Sequence, residues 1–116
     1  MKHFLVVSHG SRSPKTKQEM TALVAKLKEK VRSGQVSYAF LEIESPSIPQ
    51  AVDNSVKEGA AEIVLVLNFL NPGRHVDEDV PRIVQEAQKK YPKVSFRITQ
   101  PVGQHSKIVD LFLDMM

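Results

Sequence analysis

The chain has 116 residues, enough for one hydrophobic core and one domain over residues 1–116; a large ligand would be held at its edge or shared between subunits. It has no cysteine, which excludes disulfides and thiolate metal sites and leaves imidazole, carboxylate, carbonyl and water as metal ligands. The 16 basic and 13 acidic residues give a formal net charge of +3, dispersed without a nucleic-acid-binding stripe but favourable to an acidic small molecule. The opening apolar run is too short for a signal peptide and no stretch approaches ~18 apolar residues. A cytoplasmic protein with no membrane partner is expected.

Phe4 to Ser8 is a short apolar run stopped by His9, Gly10 and Ser11, the pattern of a buried strand entering a glycine turn. Ser13-Pro14 starts a helix to about Val31, with Met20, Leu23, Val24 and Leu27 at helical spacing for the core and lysines on the opposite face. Ser33-Gly34 ends it. Val36 to Ile43 is predicted as a second strand, on which Tyr38, Phe40, Glu42 and Glu44 share one parity, so two carboxylates follow two aromatics on one side. Ser45 to Pro49 supplies caps and first-turn prolines for a helix through Lys57, closed by Gly59.

Glu62 to Leu67 is unbroken and apolar after its first residue, as expected at the centre of a parallel sheet. A loop around Pro72-Gly73 runs from Asn68 to His75, and a helix is predicted from about Val76 to Lys90. Its acidic first turn, Asp77-Glu78-Asp79, suits the helix dipole, while Pro81 puts the start of regular helix near Val80. Val94 to Ile98 is a fourth strand and Ser106 to Met115 a last amphipathic helix.

The alternation βαβαβαβα predicts an α/β fold: a three-layer αβα sandwich on a four-stranded parallel sheet, order 2-1-3-4, resembling half of a flavodoxin-like fold. That order sets the carboxyl ends of strands 1 and 3 side by side at the switch point. They carry His9 and His75, each close to a glycine, and Glu42 stands near the end of strand 2.

A His-Glu-His set fits a borderline divalent ion such as cobalt(II) or iron(II) with open exchange positions, or serves as a general base near neutral pH. Gly10 and Gly73 permit tight turns and close approach of a flat ligand, although turn geometry alone would explain both. Ser11, Arg12 and Arg74 flank the histidines as candidate carboxylate binders. Glu44 reads as a solvated strand end. His3 is expected at the opposite edge as a bystander, and His105 in a helix-capping or surface role. Phosphate-loop, dinucleotide-fingerprint and nucleophile-elbow motifs are absent, so nucleotide and serine-hydrolase readings lose support.

The segments His9-Gly10-Ser11-Arg12, Phe40-Leu41-Glu42 with Pro46-Ser47-Ile48-Pro49, and Phe69-Leu70 with Gly73-Arg74-His75 and Asp79-Val80-Pro81 occur in that order. Together with Pro101-Val102-Gly103 and His105, they resemble the small sirohydrochlorin chelatases of the CbiX type. The resemblance implies a chelatase-like fold and insertion of cobalt(II) or iron(II), with nickel(II) also accepted by the ligand set, into sirohydrochlorin during cobalamin or siroheme biosynthesis. His9, His75 and Glu42 would then be both metal ligands and catalytic proton acceptors, without a tightly bound cofactor. Gly10, Ser11, Arg12, Gly73 and Arg74 would contact the acidic macrocycle. Larger members carry two such domains, which implies a homodimer here, with the fourth strand or last helix as contact surface. Leu67-Asn68 departs from the proline and apolar residue that the resembling proteins generally have there, and Asn71-Pro72 is an unusual approach to the Gly-Arg-His turn.

Two alternatives accompany this reading. One is a non-catalytic metal or tetrapyrrole carrier of the same fold. The other is a flavodoxin-like or receiver-like binding module, against which Ser8-His9-Gly10 counts because a receiver needs acidic residues at the end of strand 1.

Overall fold

The computed structural model describes residues 1–116 apart from the side chain of His75. Four strands, β1 (Lys2–Ser8), β2 (Gln35–Phe40), β3 (Glu62–Leu67) and β4 (Ser95–Ile98), form a parallel sheet in the order β2-β1-β3-β4. They alternate with helices α1 (Pro14–Lys30), α2 (Ile48–Lys57), α3 (Val80–Lys90) and α4 (Ile108–Met115). The expected sandwich and strand order are both present.

Strand alternation divides the core between the two faces of the sheet. Leu5 and Val7 of β1 pack with Ile63, Leu65 and Leu67 of β3 against Ile48, Ala51 and Val52 of α2 and Val80 of α3. Val6 points the other way and meets Val36 and Phe40 of β2 with Met20 and Val24 of α1. Helices α1 and α2 start where the sequence indicates: the Ser13 side chain accepts from the Lys15 N–H, and Ser47 and Gln50 close a reciprocal capping box on α2.

Besides the starts of β1 at Lys2, β2 at Gln35 and β4 at Ser95, four boundaries differ from expectation. β2 stops at Phe40 rather than Ile43, because Ile43 has φ 71° and the Glu44 N–H donates to the Glu42 carbonyl at 2.8 Å, a γ-turn that ends the extended chain. Glu42 and Glu44 are therefore loop residues, and strand parity does not place them. α1 ends at Lys30, where the Val31 N–H makes the last bond to the Leu27 carbonyl, before the Ser33-Gly34 pair. The segment expected to open α3 is a π-helical turn, His75–Asp79, begun by a 2.7 Å bond from the Asp77 N–H to the Gly73 carbonyl. Regular α-helix begins at Val80, as Pro81 implies.

The fourth difference is α4. It starts at Ile108 rather than Ser106, and Val109, Leu111, Phe112, Leu113 and Met115 all remain exposed. The helix projects from the 3-10 turn Val102–Gln104 instead of covering the sheet.

His3 lies at the amino end of the sheet, in register with Gln35 and Ile63, but it is 2% exposed. Its buried Nε2 has no hydrogen-bond partner among the described residues.

Candidate functional site

The carboxyl edge of the sheet is organised by two loops laid against each other. After β1 and β2 end, their ladder continues through bonds from the Leu41 N–H to the Ser8 carbonyl at 2.9 Å and from the Glu42 N–H to the His9 carbonyl at 3.0 Å. Gly10 permits this approach: it has φ +106°, and a Cβ there would lie 1.9 Å from the Glu42 carbonyl oxygen. The closest neighbour on that side of Gly10 is thus the partner loop's backbone.

Across this junction His9 Nε2 stands 2.8 Å from Glu42 Oε1, with the two side chains 43% and 48% exposed. Glu44, expected to be solvated, instead accepts a 2.8 Å hydrogen bond from the Ser11 N–H. Ser11 Oγ in turn accepts from the Ser13 N–H, and Ser13 caps α1. Two carboxylates from one loop therefore hold the other. The Glu44 contact depends on the γ-turn at Ile43, for which the sequence carries no local signal.

The neighbouring strand end is tied to β1 by Asn68. Its N–H donates to the Val7 carbonyl at 2.8 Å and its Nδ2 to Ser8 Oγ at 3.0 Å, while the Ser8 hydroxyl donates to Met20 Sδ. The preceding residue, Leu67, uses its N–H on Thr99 Oγ1 at 3.1 Å. A proline at 67 would have no hydrogen to give, so the Leu67-Asn68 departure has partners built around it. His75 opens the π-helical turn beyond this strand, but its side chain lies outside the described residues. The convergence of His9 and His75 therefore rests on the adjacency of β1 and β3.

Among the candidate substrate contacts, Arg12 is exposed, and Arg74 is exposed with Nε 3.7 Å from Glu78 Oε2. Among the described residues, nothing stands within 4 Å of where a Cβ on Gly73 would lie. The β4 loop is locked to the β3 loop, since the Gly103 N–H donates to the Phe69 carbonyl and a Cβ on Gly103 would meet the Leu70 carbonyl oxygen at 1.8 Å. His105 caps: its Nδ1 accepts from the Lys107 N–H at 3.0 Å, and its carbonyl from the Ile108 N–H. Among the described residues, no three His, Asp or Glu side chains gather to hold a metal ion.

The pair His9–Glu42 can share or accept a proton. It can also present one nitrogen and one oxygen to a borderline divalent cation when that proton leaves.

The CbiX family model matches residues 3–116. The chain is 34% identical over 110 residues to the chloroplastic sirohydrochlorin ferrochelatase of Arabidopsis thaliana, covering 95% of this chain and 49% of that protein. It is 28% identical to the sirohydrochlorin cobaltochelatase of Methanocaldococcus jannaschii, covering 98% of this chain and 96% of that one. The sirohydrochlorin chelatase SirB from Bacillus subtilis subspecies spizizenii, in complex with cobalt, superposes with a TM-score of 0.87 at 30% identity. That match covers 98% of this chain and 49% of SirB. The chain thus spans about half the length of some of the relatives it matches and nearly all of another. By the extent of these matches, the chain belongs to the CbiX family.

Proposed function

We propose that this protein inserts cobalt(II) or iron(II) into sirohydrochlorin, with nickel(II) as a third metal suited to nitrogen and oxygen ligands. The carrying observation is the 2.8 Å contact of His9 Nε2 with Glu42 Oε1 at the open edge of a CbiX-family sheet. Insertion replaces two pyrrole N–H protons by one divalent ion, so the site must accept protons and pass a partly desolvated cation to the ring. An imidazole and a carboxylate sharing one proton can do both in succession. His75, on the turn after the adjacent strand, completes the proposed set. Ser11, Arg12 and Arg74 are proposed to meet the substrate's carboxylates, and Gly10 and Gly73 to line its approach.

The same proposal includes a homodimer joined through α4. The exposed side chains Val109, Leu111, Phe112 and Leu113 support that surface, since a contiguous exposed apolar patch marks a site of association. No described helix is long and apolar enough to cross a membrane. A cytoplasmic setting is part of the reading.

Anaerobic insertion of each metal into sirohydrochlorin, followed by absorbance, tests the reading. Wild type is expected to exceed the rate in buffer, and His9→Ala and His75→Ala to fall to it. Binding of the macrocycle without faster insertion would instead support the carrier. Light scattering of wild type and Phe112→Asp tests the dimer, with a monomer expected for the variant.

A further inference from the structure

We propose that Ile43 is a substrate-contacting residue, an apolar rest for the flat face of the macrocycle beside the His9–Glu42 pair; this rests on the chelatase reading above. Ile43 is the one non-glycine residue with positive φ among the described residues, at 71°. A β-branched side chain there is a true outlier and marks a strained backbone. Strain in a core residue can be offset by burial, but Ile43 is 61% exposed. Folding alone gives no reason for an isoleucine at this position.

The surroundings hold the strained turn from both sides. Glu42 binds His9 through its side chain and its N–H, Glu44 binds the Ser11 N–H, and the Phe40 N–H is tied to the Pro46 carbonyl. Ile43 is thereby fixed between two carboxylates that each grip the histidine-bearing loop.

Its apolar neighbours on this edge point to the same kind of ligand. Apart from α4, the two chain ends and Leu23 on α1, the exposed large apolar residues are Ile43, Leu70 and Val102. Leu70 is 66% and Val102 44% exposed, and the three sit on the loops after β3, β4 and β2. In the order β2-β1-β3-β4 the His9 loop lies between that of Ile43 and that of Leu70. Apolar side chains flank the proton-sharing pair, and the exposed guanidinium groups of Arg12 and Arg74 belong to the same set of loops. An apolar bed with cationic surroundings matches a flat ring that carries carboxylates around its rim.

Ile43→Gly separates substrate contact from folding, because glycine relieves the backbone while removing the side chain. In the full chain the thermal midpoint is expected to hold or rise. The dissociation constant for sirohydrochlorin, read by absorbance titration, is expected to rise about tenfold, with kcat for metal insertion changed less than about twofold. Ile43→Asn, which also tolerates positive φ, should lose affinity similarly, and Ile43→Val should stay near wild type. If wild type binds and inserts metal but Ile43→Gly has wild-type affinity, the inference falls and the chelatase reading stands. If wild type neither binds nor inserts above buffer, both fall. A change of oligomeric state in Ile43→Gly would make the residue part of an interface and overturn the assignment.

Discussion

His9 Nε2 lies 2.8 Å from Glu42 Oε1 across two loops that leave adjacent parallel strands. The distance is that of a charge-assisted hydrogen bond. With both side chains nearly half exposed, such a pair contributes under about 1 kcal/mol to stability, so its loss should register in chemistry rather than in folding. Glu42→Gln preserves shape but removes the proton-accepting oxygen charge. Initial rates of metal insertion are expected to fall about 100- to 1,000-fold, while urea midpoints barely move. A variant that inserts metal at the wild-type rate would remove Glu42 from the chemistry.

Gly10 and Gly59 offer a matched comparison, because both have φ near +100° but only one is crowded. A Cβ at Gly59 meets nothing within 4 Å, whereas one at Gly10 would collide with the Glu42 carbonyl oxygen at 1.9 Å. Gly59→Ala is expected to cost about 1 kcal/mol by backbone strain and to leave insertion intact. Gly10→Ala should cost more, because the loops must part. It should also abolish most activity by withdrawing Glu42 from His9. Denaturant titration and insertion rates on the two variants read both effects.

The imidazole of His3 is buried with an unpartnered Nε2 at the amino end of the sheet, opposite the proposed site. An unsatisfied buried polar group costs on the order of 1–3 kcal/mol, and an apolar residue of similar size removes that cost. His3→Leu is therefore expected to raise stability by about 1 kcal/mol without altering metal insertion. A fall in the urea midpoint would mean that the ring supplies packing a leucine cannot replace.

Periodicity made the sheet legible wherever burial was strong. β3 spans Glu62–Leu67 as expected because a central strand is apolar on both faces, and Pro81 located the start of α3 through its missing N–H. The approach of the His9 loop to the Glu42 loop also followed from topology. The shared strand parity of Glu42 and Glu44 is overridden by the γ-turn at Ile43, so the pairing of Glu42 with His9 arises from the loop and not from the strand. The bond from Ser11 to Glu44, the seating of Gly103 on Leu70 and the projection of α4 are long-range outcomes. They depend on which loops meet after the sheet has formed, and neither propensity nor spacing encodes that.

Asp53 on α2 and Tyr91 after α3 form a clamp with a predictable pH window. The Tyr91 hydroxyl donates to Asp53 Oδ1 at 2.5 Å and Lys90 Nζ lies 3.1 Å from the same oxygen. The Tyr91 hydrogen bond first, then that of Lys90, hold the Asp53 carboxyl below its ordinary value. The bond to Asp53 first, then desolvation, push the Tyr91 phenol above its own. A depressed carboxyl contributes stability above its unfolded value of about 4 and loses it as pH falls through the folded one. A raised phenol contributes below about 10 and loses it as pH rises through its folded value. Tyr91→Phe should therefore lower the urea midpoint most between about pH 5 and 9, and the difference from wild type should shrink toward both acid and alkali. A difference constant across that range would mean that the hydroxyl acts through packing rather than through its bond to the carboxylate.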